Sequence, residues 1–219
     1  MIYNELIDRL MQHYSSEKFH DEVSAAKLEF SDRAGILDEA SDDFDMKLTQ
    51  FVDWYLFTRN LNDLNKTPIA QCFEDSNFSM SDDERLLFEN LNSNKHGLFE
   101  FIKLSKKDLH IKDLFSNYRM VIKDSPVTVG FTKGEIFEAR LIPHGDSFIF
   151  SQAYCFHPPQ ANKFIFKEIK NLNKKSEEDQ RQLREELMLR LYRMRYKYDQ
   201  YQHVNLDAIY TDEPKLRLR

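Results

Sequence analysis

Between Gly97 and Phe156 the chain carries four of its five glycines and nearly all of its period-two apolar alternation, and this stretch constrains the fold most. Apolar runs at 98–104, 109–115, 118–122, 127–129, 136–142 and 148–150 are separated by turn residues. These turns are Lys106-Lys107-Asp108, Ser116-Asn117, Asp124-Ser125-Pro126, Lys133-Gly134 and Pro143-His144-Gly145-Asp146. Short β-rich runs at about ten-residue spacing predict a small antiparallel sheet, closed or nearly closed like a barrel, rather than βαβ units.

Both flanks have helical periodicity. Tyr3, Leu6, Ile7, Leu10, Met11 and Tyr14 recur on one face, and Ser16 precedes a second helix bearing Phe19, Val23, Ala26 and Phe30. Gly35 lets the following connection turn freely. A third helix, with Asp42 as its expected N-cap, is apolar around most of its circumference through Phe44, Leu48, Phe51, Val52, Trp54, Tyr55 and Phe57, which makes it central. Thr67-Pro68 opens a short helix, and Ser81 with Glu84 forms a capping box for another. Past Pro158-Pro159 a helix carries Phe164, Ile165, Ile169 and Leu172. Ser176 then caps a long helix whose core row is Leu183, Leu187, Leu191, Met194 and Tyr198. Residues 202–219 hold no sustained pattern and are expected as an extended tail that packs by Val204, Leu206 and Ile209 or stays mobile. The fold class is therefore α+β: a helical region over 1–95, a small β domain over 96–157, and C-terminal helices with a tail over 158–219.

Charge is unevenly placed. Residues 1–95 hold 9 Lys and Arg against 20 Asp and Glu, whereas residues 160–219 hold 14 against 10, within a net charge of −6. An acidic head and a mildly basic tail favour association within or between copies. Two cysteines, Cys72 and Cys155, imply neither a disulfide framework nor a zinc knuckle. The acidic first turn lacks the pattern of a secretory signal, and no run reaches the ~20 apolar residues of a membrane span. The expected setting is the cytoplasm, with no membrane partner.

The succession Phe51-Val52-Asp53-Trp54-Tyr55-Leu56-Phe57, Thr67-Pro68-Ile69, Ser81-Asp82-Asp83-Glu84-Arg85 and Leu98-Phe99-Glu100-Phe101 resembles a group of uncharacterised bacterial proteins that join such a helical head to a small β domain. Some relatives carry a cysteine-rich SEC-C tail, which this sequence lacks. The resemblance spans roughly residues 44–142 and implies a fold but no activity.

Candidate binding residues form two sets. On the long helix, Arg190, Tyr192, Arg193, Tyr196 and Lys197 interleave basic and aromatic groups, as a nucleic-acid surface requires. The same helix has acidic residues at its start and basic ones toward its end, as the helix dipole prefers, and with an acidic whole-chain balance a solvated or partner-facing helix is the favoured account of the pattern. In the β region, Lys103, Lys112 and Arg119, with Lys106, Lys107 and Lys123, could line one positive face, although lysines on strands also discourage edge pairing. His144, Asp146, Cys155 and His157 match no metal-ligand spacing. Asp53, inside an aromatic run, reads as a buried anchor paired with Arg59 or Arg85. Nucleotide-binding, hydrolase and zinc-protease motifs are all missing, and no cofactor is expected.

The preferred expectation is a non-enzymatic module binding a protein partner, including a second copy of itself. The alternatives are nucleic-acid binding through the β-region lysines and the basic helix, and a hydrolase using Asp53 or the His144 and His157 region.

Overall fold

A computed structural model of the protein describes residues 2–127 and 130–212. Eight α-helices occur among them, with one antiparallel sheet curled into a half-barrel. The class is α+β, as expected. The described residues divide into two compact units: 2–32, 36–96 and 140–154 form the first, while 33–35, those within 97–139, and 155–212 form the second.

The first unit contains α1 (Ile2–Tyr14), most of α2 (His20–Arg33), α3 (Phe44–Phe57), α4 (Pro68–Gln71) and α5 (Asp82–Asn92). Tyr3, Leu6, Leu10 and Tyr14 of α1 are buried, as are Val23, Ala26 and Phe30 of α2. Phe51, Trp54, Tyr55 and Leu56 on α3 are buried too, so this helix is central. Phe30 packs edge-on against Phe51 at 5.6 Å and lies tilted 5.4 Å from Trp54. Tyr55 satisfies its hydroxyl by donating to the Tyr14 carbonyl at 2.8 Å. Two caps follow local sequence: Thr67 accepts from the Ala70 N–H, and Ser81 and Glu84 close a reciprocal capping box. The α3 start differs from expectation. Its N-cap is Asp43, which makes no side-chain cap bond and pairs instead with Lys47 at 2.9 Å, one turn along.

The second unit is built on β1 (Lys95–Ser105), β2 (Asp108–Asp113), β3 (Arg119–Ile122) and the start of β4 (Ile136–His144). The strand order is β3-β2-β1-β4-β5, with β5 at Ser147–Phe150, and β6 (Cys155–Phe156) also pairs with β4. One sheet face closes over phenylalanines: Phe99 lies 5.8 Å from Phe137, Phe101 is 5.2 Å from Phe131, and Phe137 stacks 5.6 Å from Phe156. The other face carries Leu98 and Ile136. These share a core with Ile165, Ile169 and Leu172 of α6 (Asn162–Leu172) and with Leu187, Met188, Leu191 and Met194 of α7 (Glu177–Gln200). The expected extended tail instead turns through α8 (Leu206–Ile209), capped by Asn205, and its Ile209 completes this core with Val204 and Leu206 packed against it. The strand anticipated at 127–129 falls partly, and the end of the tail at 213–219 wholly, outside the described residues.

The α7 core row is as expected, with Leu183 and Tyr198 packed at its margin. A second row, Met188, Tyr192 and Tyr196, is buried as well. Gly35 makes this possible. Its φ of +130° suits glycine alone, and a Cβ there would stand 2.8 Å from the Tyr196 ring. Gly35→Ala is expected to cost about 1–3 kcal/mol in urea denaturation. An unchanged midpoint would show that the loop relaxes freely.

Candidate functional site

The basic residues of β1, β2 and β3 come together through strand register. Glu100 stands opposite Lys112, which stands opposite Arg119. The next row is Lys103, His110 and Val121. Directly opposed residues share a face, so Lys103, His110, Lys112 and Arg119 lie on the face away from Phe101 and Ile111, together with the one carboxylate of these two rows, Glu100. Lys103, Arg119 and Val121 are exposed there, and His110 and Lys112 are half-buried.

A β-bulge produces this arrangement. Lys103 has the same parity as inward-facing Phe99 and Phe101, and an unbroken strand would turn it into the core. The register shifts between Phe101 and Lys103, so Ile102 is the extra residue and Lys103 emerges opposite His110. Beyond β2, the buried Asp113 carboxylate accepts from Phe115 N at 2.9 Å and from the Ser116 hydroxyl at 2.8 Å. Asn117 then takes φ 59°. This side-chain-braced turn delivers Tyr118, 66% exposed, beside Arg119. Lys106 and Lys107 are exposed at the β1–β2 turn. Among the described residues, Lys103, Lys112 and Arg119 form no ion pair.

The α7 set is placed differently. Arg190 pairs with Glu168 of α6, lies 3.8 Å from Asp212, and sits 5.9 Å above the Phe164 ring. Tyr192 and Tyr196 stack at 6.2 Å in the interior, so they offer no ring to a partner. Arg193 is exposed, and Lys197 is half-buried with its ammonium pKa lowered by burial and then by Arg193.

Asp53 is the anchor its setting implied, with a different partner. Arg140 donates from Nε to Asp53 Oδ2 at 2.6 Å, and its other nitrogens reach Asn94 at 2.6 Å and Thr58 at 2.9 Å. Arg59 binds Glu22 and Glu29 instead, and Arg85 pairs with Glu89. The guanidinium of Arg140 also lies 5.1 Å over the Phe57 ring.

The remaining candidates are divided between the two units. His144, in the first unit, contacts Tyr3 at the β4–β5 turn, whereas Cys155 and His157 are buried in the second unit. Among the described residues no three His, Cys, Asp or Glu side chains are grouped to hold a metal. His13 pairs with Asp75 at 2.9 Å beside an open depression lined by Arg9, Gln12, Asn77, Phe78 and Ser79. Burial pushes the Cys72 thiol up to about 12, away from a reactive thiolate. No described helix is long and apolar enough to cross a membrane.

A family of unknown function, DUF7986, matches the chain over residues 2–202. No curated protein and no solved structure matches it.

Proposed function

The chain belongs to the DUF7986 family, whose function is unknown, and on that footing we propose that it is a non-enzymatic interaction module which binds an acidic protein partner through the basic face of β1–β3. One contrast carries the reading: Arg190 on α7 is held by Glu168 and Asp212, while Lys103, Lys112 and Arg119 share one face without a carboxylate clamp among the described residues. Cations left in water cost little to present and gain most from an acidic surface brought to them. The acidic residues 1–95 of a second copy supply one such surface. The same reading takes the helical head around Phe51–Phe57 to mark bacterial relatives, some with SEC-C tails, and a cytoplasmic setting.

Polyglutamate is a suitable probe. The parent is expected to bind it at low salt and to release it as salt rises. Changing Lys103, Lys112 and Arg119 together to Glu should weaken binding at least tenfold in a variant whose circular dichroism matches the parent's, a check required because Lys112 is half-buried opposite Glu100. Equal binding by the triple variant would overturn the reading. Sedimentation at low and high salt tests the self-association form, which a monomer under all conditions would remove.

A second reading, nucleic-acid binding, draws on the exposed Tyr118 beside Arg119, an aromatic next to a cation as base stacking requires. It calls for affinity toward single-stranded RNA that falls in Tyr118→Ala and shows a steep salt dependence.

A further inference from the structure

The outer edge of the sheet adds a mode of recognition to that basic face. β3 ends the strand order and has a described neighbour only in β2. Asp113 N donates to the Tyr118 carbonyl at 2.8 Å. Following the β2–β3 register from that bond, Tyr118, Met120 and Ile122 direct their backbone groups at β2. Arg119 and Val121, in between, direct theirs away from the sheet. Their side chains point to the basic face and both are exposed. The edge therefore offers two sets of outward backbone donors and acceptors beside a row of cations. Neither residue has another hydrogen-bond partner among the described residues.

We propose that β3 accepts an extended acidic peptide as an added antiparallel strand; this rests on the basic-face reading and specifies how the partner is held. The backbone of Arg119 and Val121 would pair with the peptide backbone. Alternate peptide carboxylates would then lie on the face of Arg119, Lys112 and Lys103. Charge selects the partner: a second copy of this edge would bring like charges together, whereas an acidic strand neutralises them. At four residues, β3 spans about 13 Å and holds a short peptide segment. Asp124, at φ 44°, and Pro126 terminate the pairing beyond it.

The test uses the whole chain and a labelled eight-residue peptide alternating glutamate and valine, with binding followed by fluorescence anisotropy. In an antiparallel added strand the peptide residues opposite Arg119 and Val121 are the glutamates. N-methylation of every glutamate should weaken binding at least tenfold, while N-methylation of every valine should leave it within about twofold. Val121→Pro removes one outward N–H, a change an edge strand tolerates, and should weaken binding similarly. If both N-methylated peptides and Val121→Pro bind like their parents while the Lys103, Lys112 and Arg119 to Glu variant does not, strand addition is wrong and the basic-face reading stands. If the charge-reversed variant also binds, both fall. Should Val121→Pro fail to fold, the two N-methylated peptides decide the question on the unaltered protein. Binding of oligouridylate RNA, unaffected by Val121→Pro and without peptide binding, would overturn the proposal in favour of nucleic acid.

Discussion

Asp53→Ala is expected to remove about 3–5 kcal/mol of folding stability, a large share of the roughly 5–15 kcal/mol a domain possesses. The reason is Arg140, only 2% exposed. Its Nε would lose the carboxylate at 2.6 Å, leaving a buried cation with the neutral partners Asn94, Thr58 and the Phe57 ring. The loss is thus mainly the desolvation of an unpaired charge rather than the worth of one contact. A second variant separates these terms. Replacing Asp53 by Leu together with Arg140 by Met removes both charges and should recover most of the stability, because an apolar pair of similar size avoids the penalty. Chemical denaturation measures both. A loss below about 1 kcal/mol in Asp53→Ala would mean that water reaches the pair.

Acid is expected to destabilise the second unit through His157. The ring is buried, accepts or donates one hydrogen bond to the Tyr210 hydroxyl at 3.2 Å, and has no partner for Nε2 among the described residues. Burial, and then the Arg195 cation, lowers its pKa from the ordinary 6.5 to about 3. Arg195 itself is fixed by the Phe156 carbonyl at 2.6 Å and by Asp199. A folded-state pKa below the unfolded one means that the unfolded chain takes up the proton first. The contribution is therefore complete above about pH 6.5 and is lost as pH falls toward 3. Between pH 6.5 and 4.5 the loss amounts to about 2 kcal/mol, the full slope of about 1.36 kcal/mol per unit being reached only below pH 6.5. His157→Gln, which keeps a neutral polar group for Tyr210, should flatten that slope by about one proton. An identical pH profile in parent and variant would show that His157 is protonated without unfolding.

These cases separate what can be read along a chain from what cannot. Ser81 and Glu84 lie one helical turn apart, so their capping box is written locally and was legible. So was the Ser116-Asn117 turn, written in its own turn residues, although the Asp113 brace beneath it was not read. Asp53 was recognisable as an anchor because a carboxylate among aromatics needs a partner, but Arg140 lies 87 residues away and no local signal names it. On α7, charged neighbours masked the second buried row, and nothing near Tyr192 and Tyr196 marks them as interior. Lys103 stood in the legible group of basic residues, yet alternation alone would have turned it inward. Its place on the face depends on the bulge at Ile102, which the sequence does not signal.

The path of the chain also sets an order on its birth. The first unit takes residues 2–32 and 36–96 and then waits for 140–154, which bring Arg140 and β5. During synthesis, Asp53 leaves the ribosome long before its counter-charge exists, and the helical head must pass that interval with an unanswered acid in its prospective core. Severing the chain near residue 96 would recreate that state permanently. Neither unit is therefore a continuous piece of the gene that could be excised by itself.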